Sequence, residues 1–167
     1  MKHTAWGSGA SPLPACIGAG AVTAAVLLTR VAVGSPWEVL HRLSTATLLP
    51  PLWLMSLLWV ASFVLVGGAA GILLSSPEGS AVRQAHLWRG STFLSLAVVF
   101  ALAWYTLLFG KHWLLLSALL LLLAAAASLI CAISWRAACG RGWIAPLAYA
   151  LWQILLFLLQ LAVLLQI

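Results

Sequence analysis

The chain has 167 residues, of which 65% are hydrophobic and 6% are charged, and its mean hydropathy is +1.14. Soluble domains carry roughly 25% charged residues, so a water-solvated globular surface is excluded and lipid must surround most of the molecule. The net charge of +6 comes from cations scattered at the ends of apolar runs. Scattered cations suit contacts with membrane lipid headgroups and argue against nucleic-acid binding, which uses a clustered basic surface.

A transmembrane helix needs about 20 mainly apolar residues to cross the ~30 Å hydrocarbon core. Five segments meet this condition, and we predict helices over residues 13–33, 48–74, 88–109, 112–135 and 143–166. Proline suits a first helical turn, so Pro50-Pro51 marks the start of the second helix. Glycine suits a helix end, as at Gly110. The sequence therefore predicts an all-α, multi-pass integral membrane protein, with one five-transmembrane-helix bundle over residues 1–167. We expect a bacterial cell membrane, although hydrophobicity does not identify which membrane it is.

The connections between the predicted helices indicate how the helices are arranged. Most are short, which predicts that consecutive helices are antiparallel neighbours. The exception, residues 34–47, carries polar and aromatic groups and is a candidate lid over one mouth of the bundle. Five cations fall on the N-terminal side and three on the other, which favours a cytoplasmic N-terminus. The five are Lys2, Arg83, Arg89, Arg136 and Arg141, and the three are Arg30, Arg42 and Lys111.

Tryptophan is the most distinctive residue of the chain, with ten copies. Indoles favour the headgroup level, and six of them lie near predicted helix ends: Trp37, Trp53, Trp88, Trp113, Trp135 and Trp143. Trp59, Trp104 and Trp152 lie deeper. Deep indoles make flat, polarizable walls that suit a planar apolar ligand, whereas periodicity alone favours simple core filling.

The residues that could carry catalysis are few. The chain has no Asp, and both Glu residues fall in predicted loops, so a buried carboxylate pair for acid–base chemistry is missing. We therefore predict no catalytic residues and no metal site; the sequence favours a protein without enzyme activity but does not decide between the two. Of the four histidines, only His41 and His112 fall on the same predicted side and could pair as ligands of a b-type haem.

Small residues recur at four-residue spacing on two predicted helices. Gly67 and Gly71 form a GxxxG pair, and Ala97 and Ala101 repeat the spacing. Small faces let helices approach closely. Both a homodimer interface and packing within the bundle satisfy this pattern.

Three segments resemble the tryptophan-rich sensory protein family, also called translocator protein or TspO/MBR. The run from Pro50-Pro51 through Trp53 to Trp59 resembles the family's PP-x-W-x5-W, with Gly67 and Ala69 in register. Trp104 with Phe109-Gly110 resembles its W-x4-F-G, and Tyr149 with Trp152 resembles its PYxxW. The three segments stand in the family's order and cover about residues 37–165. Several polar positions of the family are apolar in this chain, at Phe63, Ala97, Ala101 and Leu161.

The resemblance implies a five-helix fold, often dimeric, whose cavity binds tetrapyrroles such as protoporphyrin IX. On this basis the chain is expected to bind a planar apolar ligand, a porphyrin (protoporphyrin IX or haem), as a sensor or transporter. Trp59 and Trp152 would stack on the ligand, Trp53, Trp104 and Phe109 would shape the cavity, and Pro51 and Tyr149 belong to the same motifs. His41 or Arg42 could meet a propionate, since Arg pairs well with carboxylates.

Two alternatives remain open at this level. The loss of polar cavity positions and the Leu-rich run from Leu114 to Leu123 suit a structural or accessory membrane subunit without a ligand. The other alternative is a small haem-b membrane protein in which His41 and His112 are the ligands of the haem iron.

Overall fold

In lipid, backbone N–H and C=O groups have no water to bond, so a spanning segment must pair them internally, as a helix does. The computed structural model describes residues 13–33, 50–74, 80–110, 113–138 and 141–165. Within these ranges the chain forms five α-helices: α1 Leu13–Val33, α2 Leu52–Leu74, α3 Ala81–Gly110, α4 Leu114–Ala138 and α5 Ile144–Leu164. The prediction of an all-helical protein with five helices is confirmed for the described residues.

Four of these helices, α2 to α5, are long and apolar enough to cross a membrane. The apolar stretch described in α1, Leu13–Thr29, is shorter. The outside of the helices carries large apolar side chains, among them Leu28 at 70% exposure and Leu115 at 79%. A surface of this kind suits lipid, and together with the four long helices it indicates a multi-pass integral membrane protein.

Two helix starts differ from the prediction for local reasons. The Pro51 carbonyl accepts hydrogen bonds from the N–H groups of Leu54 and Met55 at 3.0 and 3.2 Å, so α2 begins at Leu52 and not at residue 48. Helix α3 begins seven residues before the predicted residue 88, because Ser80 caps it: the Ser80 hydroxyl accepts from the Arg83 N–H at 3.3 Å. Hydrophobicity could not detect this polar first part of α3, whereas a Ser at the N-cap is a recognisable signal.

The helices pack as a ring in the order α1, α2, α5, α4, α3. A contact between α3 and α1 closes the ring. The pairs α1/α2, α3/α4 and α4/α5 pack extensively, as expected for consecutive helices. Helices α2 and α3 differ from that expectation, because they touch only briefly although they are consecutive. Helix α2 lies against α5 instead, which brings the second and fifth helices together across the bundle.

Glycines bring α1 and α2 into backbone contact. A Cβ at Gly67 would lie 2.5 Å from the Gly18 carbonyl oxygen, and one at Gly71 would collide with the Pro14 carbonyl. Only glycine permits this approach. The GxxxG pair of α2 is therefore used for packing within the chain. Ala97 and Ala101 of α3 are also fully buried.

Helices α3 and α4 are joined through Trp135, whose indole lies against Gly90 where any Cβ would collide with it. The Trp135 indole N–H donates to the Leu87 carbonyl at 3.3 Å, and its side chain is fully buried. The prediction that Trp135 contacts lipid headgroups is therefore wrong, because α3 extends far enough to cover it. Trp53, Trp88 and Trp113 are exposed, by 68%, 60% and 52%.

Candidate functional site

The interior of the bundle contains a group of five aromatic side chains from three helices, which we call the aromatic cluster. Its members are Trp59 and Phe63 of α2, Trp104 and Tyr105 of α3, and Tyr149 of α5. All five are at most 4% exposed. The cluster therefore lies where α2, α3 and α5 meet.

Trp59 is at the centre of the aromatic cluster. Its ring centroid lies 5.0 Å from that of Phe63, one turn further along α2, at an interplanar angle of 74°. It lies 5.3 Å from Trp104 at 49° and 6.0 Å from Tyr105 at 31°. Phe63 in turn meets Tyr149 edge-on, with centroids 5.5 Å apart. These separations are those of favourable aromatic pairs, so α2 is attached to α3 and α5 through rings.

A glutamine fixes the orientation of one ring of the cluster. The Trp104 indole N–H donates to Gln160 Oε1 at 2.7 Å. The Gln160 amide nitrogen donates to the Leu114 carbonyl at 2.7 Å and to the Ser117 hydroxyl oxygen at 2.5 Å. Gln160 is fully buried and bonds to both α3 and α4. It therefore holds Trp104 in one position and ties α5 to its two neighbours.

A second set of polar groups on α5 has no such partners, and we call it the α5 polar row: Tyr149, Trp152 and Gln153. The spacing of three and four residues places them on one helix face. The Gln153 side chain approaches the Tyr149 hydroxyl. Nevertheless, the Tyr149 hydroxyl, the Trp152 indole nitrogen and both Gln153 amide atoms lack a partner of good hydrogen-bond geometry among the described residues.

This lack of partners is unusual, because the groups are deeply buried. Tyr149 and Gln153 are fully buried, and Trp152 is 9% exposed. Buried polar groups in proteins are nearly always paired with protein, water or a ligand, and leaving one unpaired costs about 1–3 kcal/mol. The α5 polar row therefore has hydrogen-bonding capacity for a water molecule or a ligand, and it adjoins the aromatic cluster through Tyr149.

The structure brings together some of the predicted site residues and separates others. Trp59, Trp104, Tyr149 and Trp152 belong to one buried core. Trp53 lies on the outside of α2, where it is 68% exposed, and does not join them.

The remaining predicted site residues contribute less. Pro51 is exposed at the start of α2. Phe109 lies in the last turn of α3, and its side chain is outside the described part of the structure. His41, Arg42 and His112 also fall outside the described residues.

Sequence reasoning missed Gln153 as a site residue. A signal was available: Gln153 and Gln160 are polar residues in an otherwise apolar helix, and their separation of seven residues places both on one face. Polar side chains inside a membrane bundle usually serve packing or function. Nothing in the spacing shows that one is hydrogen-bonded and the other is not.

A separate opening lies between α1 and α2, with a volume of about 360 Å³ and an almost wholly apolar lining. Its walls include Leu13, Ile17, Gly18 and Gly67. It offers no polar group to orient a ligand. Among the described residues, no group of three or more His, Cys, Asp or Glu side chains is placed to hold a metal ion.

Scans against models of protein families, curated proteins and solved structures found no match to this chain. The likeness to the tryptophan-rich sensory proteins therefore rests on the three sequence motifs alone.

Proposed function

We propose that the chain is a TspO-like membrane protein that binds a planar apolar ligand, a porphyrin or related tetrapyrrole, as a sensor or transporter. The observation that carries the proposal is the α5 polar row, whose buried polar atoms lack partners beside a cluster of aromatic rings. A flat conjugated ligand with polar substituents supplies both missing elements: a face for stacking and atoms for hydrogen bonding.

The arrangement of the helices supports entry between α2 and α5. This seam packs less extensively than α1/α2, α3/α4 or α4/α5. Phe63 of α2 and Tyr149 of α5 meet across this seam, with ring centroids 5.5 Å apart. A ligand would enter from the membrane, separate the two helices slightly and stack on the indoles of Trp59 and Trp152. Residues 34–47 would cap it, with His41 or Arg42 meeting a propionate.

We further propose that α1 also crosses the membrane, which makes five spans. It has 21 residues, or about 31 Å at 1.5 Å per residue, and its glycine face lies directly along α2. The possible homodimer stays a prediction, with a surface other than Gly67 and Gly71 as its contact.

Titration with protoporphyrin IX in detergent tests the proposal through quenching of tryptophan fluorescence. Trp59→Phe and Trp152→Phe should each weaken binding on the order of fivefold, since each removes stacking area and an indole N–H. Trp53→Phe is the matched control, because Trp53 lies on the outer surface, and it should bind like the parent chain. Quenching no greater than with empty micelles, or equal effects of all three substitutions, would refute the porphyrin proposal.

A structural or accessory subunit is the second candidate, and one observation favours it. The rings of the aromatic cluster touch one another, and Gln160 bonds to three groups, so this part of the interior is solid. Such a subunit would co-purify with a stable membrane complex and bind no porphyrin. A haem-b protein is distinguished from both by a Soret band in the visible spectrum of the purified chain.

A further inference from the structure

We infer that one end of the bundle is a binding surface for anionic phospholipid headgroups. This surface is formed by the start of α3, the end of α4 and the start of α5, and we call it the arginine end. Every cation whose side chain the structure describes lies there: Arg83, Arg89, Arg136 and Arg141. The inference is independent of the proposed interior ligand.

A contact between α3 and α4 places Arg89 and Arg136 at similar depth. Gly90 of α3 lies against the indole of Trp135 of α4, so their sequence neighbours Arg89 and Arg136 flank one level of the bundle. Both are exposed. Nearly two turns further out along α3, the Arg83 guanidinium Nε donates to the Ala138 carbonyl at 3.1 Å, which fixes the start of α3 to the end of α4.

The length of α3 places Arg89 and Arg136 at the depth of the lipid headgroups. Its 30 residues extend about 45 Å, roughly 15 Å more than the hydrocarbon core. Both charged residues of α3, Arg83 and Arg89, are in its first three turns. Trp88, next to Arg89, is 60% exposed, and the Arg136 guanidinium lies 5.7 Å from the centroid of the Trp143 ring. Tryptophan beside a cation is typical of the membrane–water interface.

The chemistry of the arginine end fits a phosphodiester that continues into acyl chains. A guanidinium binds phosphate oxygens through two parallel hydrogen bonds. The chain has only two acidic residues, and the sequence places only Glu78 near this end, so cations outnumber anions there. Ile133, one turn from Arg136 on α4, is 71% exposed. An exposed apolar side chain below a cation matches a phospholipid better than a soluble phosphate.

Native mass spectrometry in detergent measures the affinity of the intact chain for short-chain phosphatidylglycerol and for short-chain phosphatidylcholine, at low and at moderate salt. Phosphatidylglycerol should bind more than tenfold more tightly, and salt should reduce the difference. A triple variant with Arg89→Gln, Arg136→Gln and Arg141→Gln should lose most of this preference for phosphatidylglycerol, because each charge removed lowers the affinity about fivefold. Arg83 is left unchanged because it holds α3 to α4.

Two controls make the result specific. Lys111→Gln removes a cation from the connection between α3 and α4 and should keep the preference. The triple Arg→Lys variant keeps the charges and should bind within a few-fold of the parent, which separates charge from a folding defect. Equal binding of the two lipids, an equal loss with Lys111→Gln, or full competition by millimolar inorganic phosphate would overturn the inference.

Discussion

Two buried glutamines on α5 offer a direct test of the hydrogen bonding described above. Gln160 and Gln153 lie on one face of the same helix, and both are fully buried. Gln160 accepts from α3 and donates to α4, whereas the Gln153 amide, although near the Tyr149 hydroxyl, has no partner of good hydrogen-bond geometry among the described residues. Replacing each with Leu is therefore the same chemical change in two different environments, and we expect opposite effects on stability.

The expected difference follows from the partners that each change leaves behind. Gln160→Leu leaves the buried Trp104 N–H without an acceptor, at about 1–3 kcal/mol. The other two hydrogen bonds add about 0.6 kcal/mol each, the average for membrane bundles. We therefore expect a destabilisation of about 2–4 kcal/mol. Gln153→Leu removes a buried amide that makes no hydrogen bond of good geometry among the described residues, so it should be neutral or stabilising by about 1 kcal/mol.

Unfolding in detergent with increasing dodecyl sulfate, followed by far-UV circular dichroism, measures both changes. A double-mutant cycle of Gln160→Leu with Trp104→Phe should show a coupling of about 1 kcal/mol, because each change removes one partner of the same hydrogen bond. If Gln153→Leu destabilises as much as Gln160→Leu, or if the cycle is additive, the hydrogen-bond assignment is wrong. Gln153→Leu should also weaken protoporphyrin binding, so a variant that gains stability and loses affinity would support the ligand proposal.

The remaining predictions concern packing and accessibility. Gly18→Ala should destabilise the protein by about 1–3 kcal/mol in the same unfolding assay, since its Cβ would collide with the backbone of α2. Gly20→Ala is the control: a Cβ there has nothing within 4 Å, so it should be neutral or stabilising by up to ~1 kcal/mol. Equal effects of the two substitutions would contradict the close approach of α1 to α2. Gly90→Ala should displace the indole that lies on it, cost about 1–3 kcal/mol and change near-UV circular dichroism; an unchanged spectrum would count against this contact. N-ethylmaleimide should modify Cys16, which is exposed, well before Cys131, which is fully buried. Mass spectrometry of the peptides locates the label, and equal rates in the folded protein would show that Cys131 is not buried as described.

The positions of the helices were largely predictable, because hydrophobic length alone identifies segments that cross a bilayer. The end of α2 at Leu74 and both ends of α1 agree with the prediction. The largest error, at the start of α3, arose because Arg83, Gln84 and His86 interrupt the apolar pattern although Ser80 caps a continuous helix there.

The inward faces of the helices were much harder to predict. In a soluble protein the polar face of a helix marks the outside, but in this chain lipid and core are both apolar. Periodicity therefore could not separate Trp53, which is exposed, from Trp59, which is buried. The family resemblance identified Trp59 and Trp152 as interior residues, and both are buried. It also grouped Trp53 with them, and the structure places Trp53 on the outer surface.

By itself, then, the sequence determined a membrane chain of five apolar helices with its cations at the helix ends, because these properties depend on composition along the chain. Only the tertiary structure decided that α2 packs on α5 and not along α3, and that Trp135 is covered by α3. It also decided that Gln160 is hydrogen-bonded while Gln153, two turns away, is not. Whether a buried polar group finds a partner depends on which side chain the neighbouring helix presents at that height, and spacing within one helix carries no information about it.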